Sequence, residues 1–541
     1  DGPVTFTIDF DDLAGNSATQ VTAVNNSSSV TYDETPPTLS SVSIASNNSP
    51  ATLANAGDVI FLEMTANEQI SQPTVTFLSG SAAITNAGAI TYVNTSGNTW
   101  TAAYTAHASD TGGAVTFSIA FTNLAGIAGI ADIDVDGSSS VTFDKVVPTL
   151  STVAIASNNT PGPITHAKAG HKVIITIVAS EVIAEPQLSF ESGGAAISNA
   201  TAITYTGSGV NWTAEYVAHT NDAEGLVTYS ISFLDAAGNA GVAVKSGSGS
   251  VTFDRTVPTL ETSLINLVSN NNSASPLVHN PAGPDDRAAT DDIVTLTIKG
   301  SEVLQQPTVV FSSGSSTVAD SSITYATSDG GRTWTAKYEP EAGDTEGNVT
   351  FSVDFDDLAG NDGVDITAVI GSSSVLFDKT VPTLSSVSIA SNNSTNTLAK
   401  VGNEITLTFT ASENLQTPVV TFKAGSNNIS TADVVAGSGT NWTAKYTANA
   451  GDTDGSVTFT IAFEDIATNS GTSVTAVSDS TSITFNNTAP TLPSVVIASS
   501  NSPGNLANAG DVVTITLTSS IAISQPVVTF KSGGNAVSDS T

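Results

Sequence analysis

Three sets of carboxylates recur at similar spacing along this chain: Asp144, Glu181 and Asp235; Asp254, Glu302 and Asp357; and Asp378, Glu413 and Asp465. A carboxylate at neutral pH only accepts hydrogen bonds, and three brought to one place repel one another unless a cation joins them. Ca2+ takes six to eight oxygen ligands of this kind, so clustered acids with nearby carbonyls point to calcium. Two other readings stay open for the same residues. The acids can cap turns by accepting backbone N–H groups, or they can pair with Lys145, Arg255 and Lys379, which follow the linker aspartates.

These acids form one site only if the fold gathers them. The first member of each set opens a repeated linker, Asp-x-Thr-x-Pro in its fullest form, as in Asp254-Arg255-Thr256-Val257-Pro258 and Asp378-Lys379-Thr380-Val381-Pro382. Relatives of it start at Asp33, Asp144 and Asn486, and its prolines, Pro37, Pro148, Pro258, Pro382 and Pro490, lie 111, 110, 124 and 108 residues apart, a domain-sized period. Proline fixes its own backbone angle and biases the preceding residue to be extended, so each linker is short and stiff.

Between linkers one strand order repeats. Ile60/Leu62/Met64, Val173/Ile175/Ile177, Val294/Leu296/Ile298 and Ile405/Leu407/Phe409 recur at every other position, the residues between them mostly Thr, and a period of two buries one face of a strand. Pro73-x-Val75-x-Phe77 opens a third strand, Trp100/Ala102/Tyr104 marks a fifth, and Val115/Phe117/Ile119/Phe121 a sixth. Seven such strands predict an all-β chain, a tandem array of seven-stranded antiparallel immunoglobulin-like sandwiches. The expected modules are 37–147, 148–257, 258–381 (with an acidic, proline-containing insertion over 271–292) and 382–489, with the later part of a module at 1–36 and the earlier part of one at 490–541. A propeller or solenoid would repeat at roughly 20 to 50 residues. The broken ends read as a cut through a longer array, the alternative being neighbouring chains that complete each other head to tail.

In a sandwich of this order, the loops after strands two and six share the end that faces the preceding module. The linker acid, the Glu of the first loop and the Asp of the second should therefore converge at each joint. The joint at Asp33 should be weaker, because Glu68 is present but the second loop reads Asn123-Leu124-Ala125-Gly126. The joint at Asn486, with Ile521 at the Glu position, should be metal-poor and the most flexible.

Other candidates have simpler explanations. Asp132-x-Asp134-x-Asp136-Gly137 begins like a calcium loop, but its twelfth position is Phe143 and its alternation with Ile133 and Val135 fits a strand. The Gly-Asp-Thr-x-Gly loops at Gly343 and Gly451 are tight-turn chemistry. Trp442 and Tyr446 share a face with Ala444 and read as core rather than a sugar platform. His107, His166, His171, His219 and His279 lack metal-ligand spacing or a partnered nucleophile. Enzyme signatures are absent from the sequence.

Composition narrows the partners. With 50 acidic against 14 basic residues, the formal charge of -36 repels nucleic acids and anionic membranes. Cysteine is absent, which removes disulfides and thiolate chemistry. No apolar run reaches the roughly 18 residues of a membrane span, so no membrane insertion is expected in this segment.

Asp235-Ala236-Ala237-Gly238-Asn239 and Asp357-Leu358-Ala359-Gly360-Asn361 precede the linkers at Asp254 and Asp378. This pairing of D-x-A-G-N with D-x-T-x-P resembles the bacterial immunoglobulin-like (Big-type) tandem repeats of giant surface adhesins. The resemblance implies a secreted, extended, non-enzymatic stalk or filament at the cell surface, with Ca2+ at the domain junctions and neighbouring modules or chains as partners. The alternatives are a module array that binds a glycan or host-surface protein, and accessory domains of a secreted hydrolase.

Overall fold

The computed structural model describes residues 1–271, 286–319, 322–369, 373–425, 427–431 and 433–537. Most of the acidic insertion at 271–292 lies outside them. Among the described residues no helix is long and apolar enough to cross a membrane, and helical structure is limited to short 3-10 turns.

The alternating pattern becomes strands because β-branched and aromatic residues suit a pleated, half-buried surface. In the sandwich of residues 39–143 one sheet joins Leu39–Ser46, Val59–Ala66, Thr99–Thr105 and Thr91–Asn94 in that order. The facing sheet joins Leu53–Ala54, Thr142–Phe143, Gly113–Ala120, Thr74–Ser79 and Ala82–Ala83. Leu53–Ala54 runs parallel to Thr142–Phe143, and the other pairings are antiparallel. The same four- and five-stranded pair recurs for residues 150–253, 266–377 and 384–485. This is the immunoglobulin arrangement of two sheets, with two short strands added to the expected seven. The additions, such as Leu53–Ala54 and Ala82–Ala83, are two residues long in most sandwiches and carry no alternation for a sequence reading to detect.

The inner faces make the cores. Ile60, Leu62, Met64, Phe77 and Tyr104 are buried in one cluster, and Ile405, Leu407, Phe409, Phe422 and Tyr446 in another. Each sandwich carries one aromatic pair between its sheets: Phe77–Tyr104 at 4.8 Å, Phe190–Tyr216 at 4.7 Å, Phe311–Tyr338 at 5.6 Å and Phe422–Tyr446 at 5.7 Å. Such a pair adds about 0.5–1.5 kcal/mol beyond its buried area. Trp442 is buried as expected. Trp100, Trp212 and Trp334 are only half-buried at the edge of the core, and the last two donate their indole N–H to Gly209 and Gly331 carbonyls.

The chain forms two compact units. The first comprises residues 1–258 with the loops 302–305 and 355–363; the second comprises 259–301, 306–354 and 364–541. In the first, residues 1–36 form only short pairings, among them Gly2–Pro3 with Thr31–Tyr32, and leave Val4, Ile8 and Phe10 exposed. In the second, Ser494–Ser499 pairs with Val513–Thr518, and Val495 and Ile497 are exposed.

Candidate metal centres at the joints

The three sets of acids come together. Asp144, Glu181 and Asp235 each offer an oxygen within 4.8 Å of the others, and so do Asp254, Glu302 and Asp357, and Asp378, Glu413 and Asp465. Local pairing explains the convergence. Ile183, Leu304 and Leu415 form backbone bridges to Asp235, Asp357 and Asp465. Each apolar residue follows its glutamate by two positions, so the extended chain brings Glu181, Glu302 and Glu413 beside the second loop. The linker is drawn in by the residue before the glutamate: Ser180, Ser301 and Ser412 donate to the carbonyls of Thr149, Thr259 and Thr383. The linker prolines Pro148, Pro258 and Pro382 are buried.

Turn capping is present in the same residues and uses only part of their oxygen. Asp144, Asp254 and Asp378 each accept the N–H two residues ahead through Oδ1, at 2.9, 2.9 and 3.1 Å. Asp235 accepts from both the backbone and the amide of Asn239 at 2.8 Å; Asp357 and Asp465 do the same with Asn361 and Asn469. A left-handed residue, Gly238 or Gly360, closes this turn. In the third loop Thr468 takes that place at φ 75°, a conformation costly for a β-branched side chain.

Pairing with the linker cations takes a different form from that expected. Lys145 Nζ donates to the Asp110 carbonyl at 2.6 Å, Arg255 to the Thr220 carbonyl at 2.6 Å, and Lys379 to the Ala342 and Asp344 carbonyls. These long side chains reach back to the Asp-containing turn of the preceding sandwich. Arg255 also approaches Glu224 at 3.7 Å.

The clusters are electrostatically strained. The loop acids Asp235, Asp357 and Asp465 are at most 3% exposed. Burial, then the charges of Asp254 and Asp357, push Glu302 up to about 7. Glu181 is raised by burial and by the charges of Asp144 and Asp235. Burial also raises Asp254 and Asp465, with Asp357 and Asp378 adding to it respectively. Oxygen-only donors gathered this closely, one of each set buried and Glu181, Asp254, Glu302 and Asp465 raised, suit a hard divalent cation, which would take the place of protons on those four.

Residues missed by the sequence reading complete the joints. Asn239, Asn361 and Asn469 also donate to the linker carbonyls of Asp144, Asp254 and Asp378, at 3.1, 3.2 and 3.0 Å. Asn48, Asn159 and Asn271 donate to the carbonyls of Ala237, Leu358 and Ala467, inside the loops that run from Asp235 to Asn239, Asp357 to Asn361 and Asp465 to Asn469, at 2.7, 2.8 and 2.7 Å. All three asparagines are the third residue of a Ser-Asn-Asn stretch, at 46–48, 157–159 and 269–271. At Asp33 the cluster is replaced: buried Asn123 donates its amide to Asp33 Oδ2 at 2.7 Å. Asp132 bridges Ile119, and Asp136 accepts the Val42 N–H, so the Asp132–Asp136 run lies along the sheet edge. The Gly-Asp-Thr-x-Gly aspartates Asp344 and Asp452 accept turn N–H groups and the hydroxyls of Tyr338 and Tyr446.

Sheets and joints together define a tandem array of immunoglobulin-like β-sandwiches. No family model and no curated protein matches the sequence. Similar solved structures include a tetra-tandem repeat in the extending region of a large adhesion protein, at 13% identity over 81% of this chain and 99% of that one, with a TM-score of 0.26. A solved chain from a 1.5-MDa bacterial ice-binding adhesin is 17% identical over 64% of this chain and 100% of the solved one, with a TM-score of 0.30. The I67–I69 fragment of titin is 12% identical over the same shares, with a TM-score of 0.26.

Proposed function

We propose that the chain is part of the extracellular shaft of a bacterial cell-surface adhesin, an extended and non-enzymatic array of Big-type modules whose joints are stiffened by Ca2+. The proposed modules are bounded at the linkers, at 37–147, 148–257, 258–381 and 382–489. One observation carries the reading: the same three-acid cluster recurs at three linkers, each built from a linker acid and two loops of the following sandwich. Asp144, Glu181 and Asp235, Asp254, Glu302 and Asp357, and Asp378, Glu413 and Asp465 would hold the ions. Bound Ca2+ would cancel repulsion among acids that the fold forces together, tying the linker to the module after it. The charge of -36 keeps such shafts soluble and apart.

The partners in this reading are neighbouring modules or chains, with a glycan or host-surface ligand bound elsewhere on the adhesin. Small-angle scattering of the chain in Ca2+ and in excess chelator tests it. A longer, narrower distribution of dimensions in Ca2+ is expected, and identical curves would count against calcium stiffening.

A further inference from the structure

The linker is also held from behind. Glu224 Oε1 accepts the Arg255 N–H at 3.3 Å and the Thr256 hydroxyl at 2.7 Å. Glu346 Oε1 accepts the Lys379 N–H and the Thr380 hydroxyl, both at 2.8 Å. Asp454 accepts the Asn487 N–H at 2.6 Å and the Thr488 hydroxyl, and Asp1 accepts the Glu34 N–H at 2.8 Å and the Thr35 hydroxyl. In each case an acid just before the glycine that opens the sixth main strand binds the second and third residues of the linker. The threonine of D-x-T-x-P is therefore a hydrogen-bond donor to the preceding sandwich.

The linker at Asp144 lacks both halves. Gly112 stands where the acid should be, and Val146 where the threonine should be. Lys145 still reaches the Asp110 carbonyl, but among the described residues no acid of the preceding sandwich grips Val146, whose N–H goes to Asp144 Oδ1. The joints thus differ in kind. Asp254 and Asp378 have an acid cluster ahead and a clip behind, Asp33 and Asn486 have the clip without the three acids, and Asp144 has the acids without the clip.

We propose that this acid–threonine clip is the metal-independent positioning element of the joint. It makes the linker a rigid extension of the preceding sandwich and fixes where the linker acid points. The joint at Asp144 relies on its acid cluster for what the others obtain from two devices, and it is the one that loosens when divalent ions are withdrawn. The clip is also present at Asn486, the joint expected to be the most flexible. Only the calcium part of the proposal rests on the function proposed above.

The absence of native cysteine allows spin-label pairs to be placed across the joints at Asp144, Asp254 and Asp378 of the full chain. In excess chelator, the distance distribution at Asp144 should be the broadest of the three. Installing the clip with Gly112→Glu and Val146→Thr should narrow it toward the other two. The position accepts a side chain: a Cβ there meets Phe143 O at 3.6 Å and Lys145 Cγ at 3.9 Å, ordinary contacts. Removing the clip with Glu224→Gly and Thr256→Val should broaden the Asp254 joint in chelator.

Equal widths at the three joints in chelator, or no narrowing on installing the clip, would overturn the proposal. Calcium is read separately, by its narrowing of the unmodified Asp144 joint. If that narrowing is missing while the chelator comparison holds, the calcium reading fails and the clip stands.

Discussion

The joints at Asp33 and Asp144 are built on the same scaffold and solve opposite problems. At Asp33 the second loop offers Asn123, whose amide donates to Asp33 at 2.7 Å, and Asp1 clips the linker from behind. At Asp144 the second loop offers Asp235, a third acid beside Asp144 and Glu181, and no clip is present. Exchanging a carboxylate oxygen for an amide nitrogen turns a repulsive contact into a hydrogen bond. The two joints thus differ in whether the second loop meets the linker acid with a donor or with another carboxylate, and in whether the linker is clipped from behind.

The largest expected effect separates these two joints by calcium itself. An ion present at a hundredfold its dissociation constant stabilises its site by about 2.7 kcal/mol. Hydrogen exchange should therefore slow in Ca2+ at 181–183 and 235–239, and stay unchanged at 68–70 and 123–127. Equal protection at both joints would erase the contrast. Next in size, Asn123→Asp should give the first joint a third acid while leaving its clip in place, converting it into the kind found at Asp254 and Asp378. Without calcium it should lose about 1.5–3 kcal/mol, the scale of a hydrogen bond to a charged group, seen as a lower urea midpoint, and it should gain one bound ion.

A smaller effect is the response to pH, sharpest at Asp254. Glu302 sits at about 7 instead of its ordinary 4.5, so the fold favours its protonated form. In chelator, its contribution to stability is complete below about pH 4.5 and is lost as pH rises through 7. In Ca2+, protons compete with the ion, and this joint should release calcium first on acidification from pH 8, as followed by NMR of the Glu302 carboxyl. The smallest effect is expected at Thr468: replacing it by Gly should relieve the left-handed strain and stabilise by about 1 kcal/mol.

Much of this was legible because the repeat supplies its own alignment. Alternation at Ile405, Leu407 and Phe409 fixes a buried face, and strand order alone places the loops of Glu413 and Asp465 at one end. The two-residue strands had no pattern long enough to register. The joints were read as acids alone, and their neutral partners were missed for a physical reason. Asn239 and Thr256 stand inside the D-x-A-G-N and D-x-T-x-P motifs, but their hydrogen-bond partners across the joint, like that of Asn48, lie in distant loops and leave no pattern in the sequence. The co-occurrence of Glu224 with Thr256, and of Gly112 with Val146, was present in the sequence, but only the hydrogen bonds show that the positions touch.

The central claim, that the clustered acids hold calcium, is tested most directly by titration calorimetry of the chain and of a Glu181→Gln, Glu302→Gln, Glu413→Gln variant. Three tight Ca2+ sites are expected, one for each cluster among the described residues, and they should be lost in the variant while its melting in chelator remains cooperative. A parent chain that binds no calcium, or a variant that binds as many ions as the parent, would contradict it.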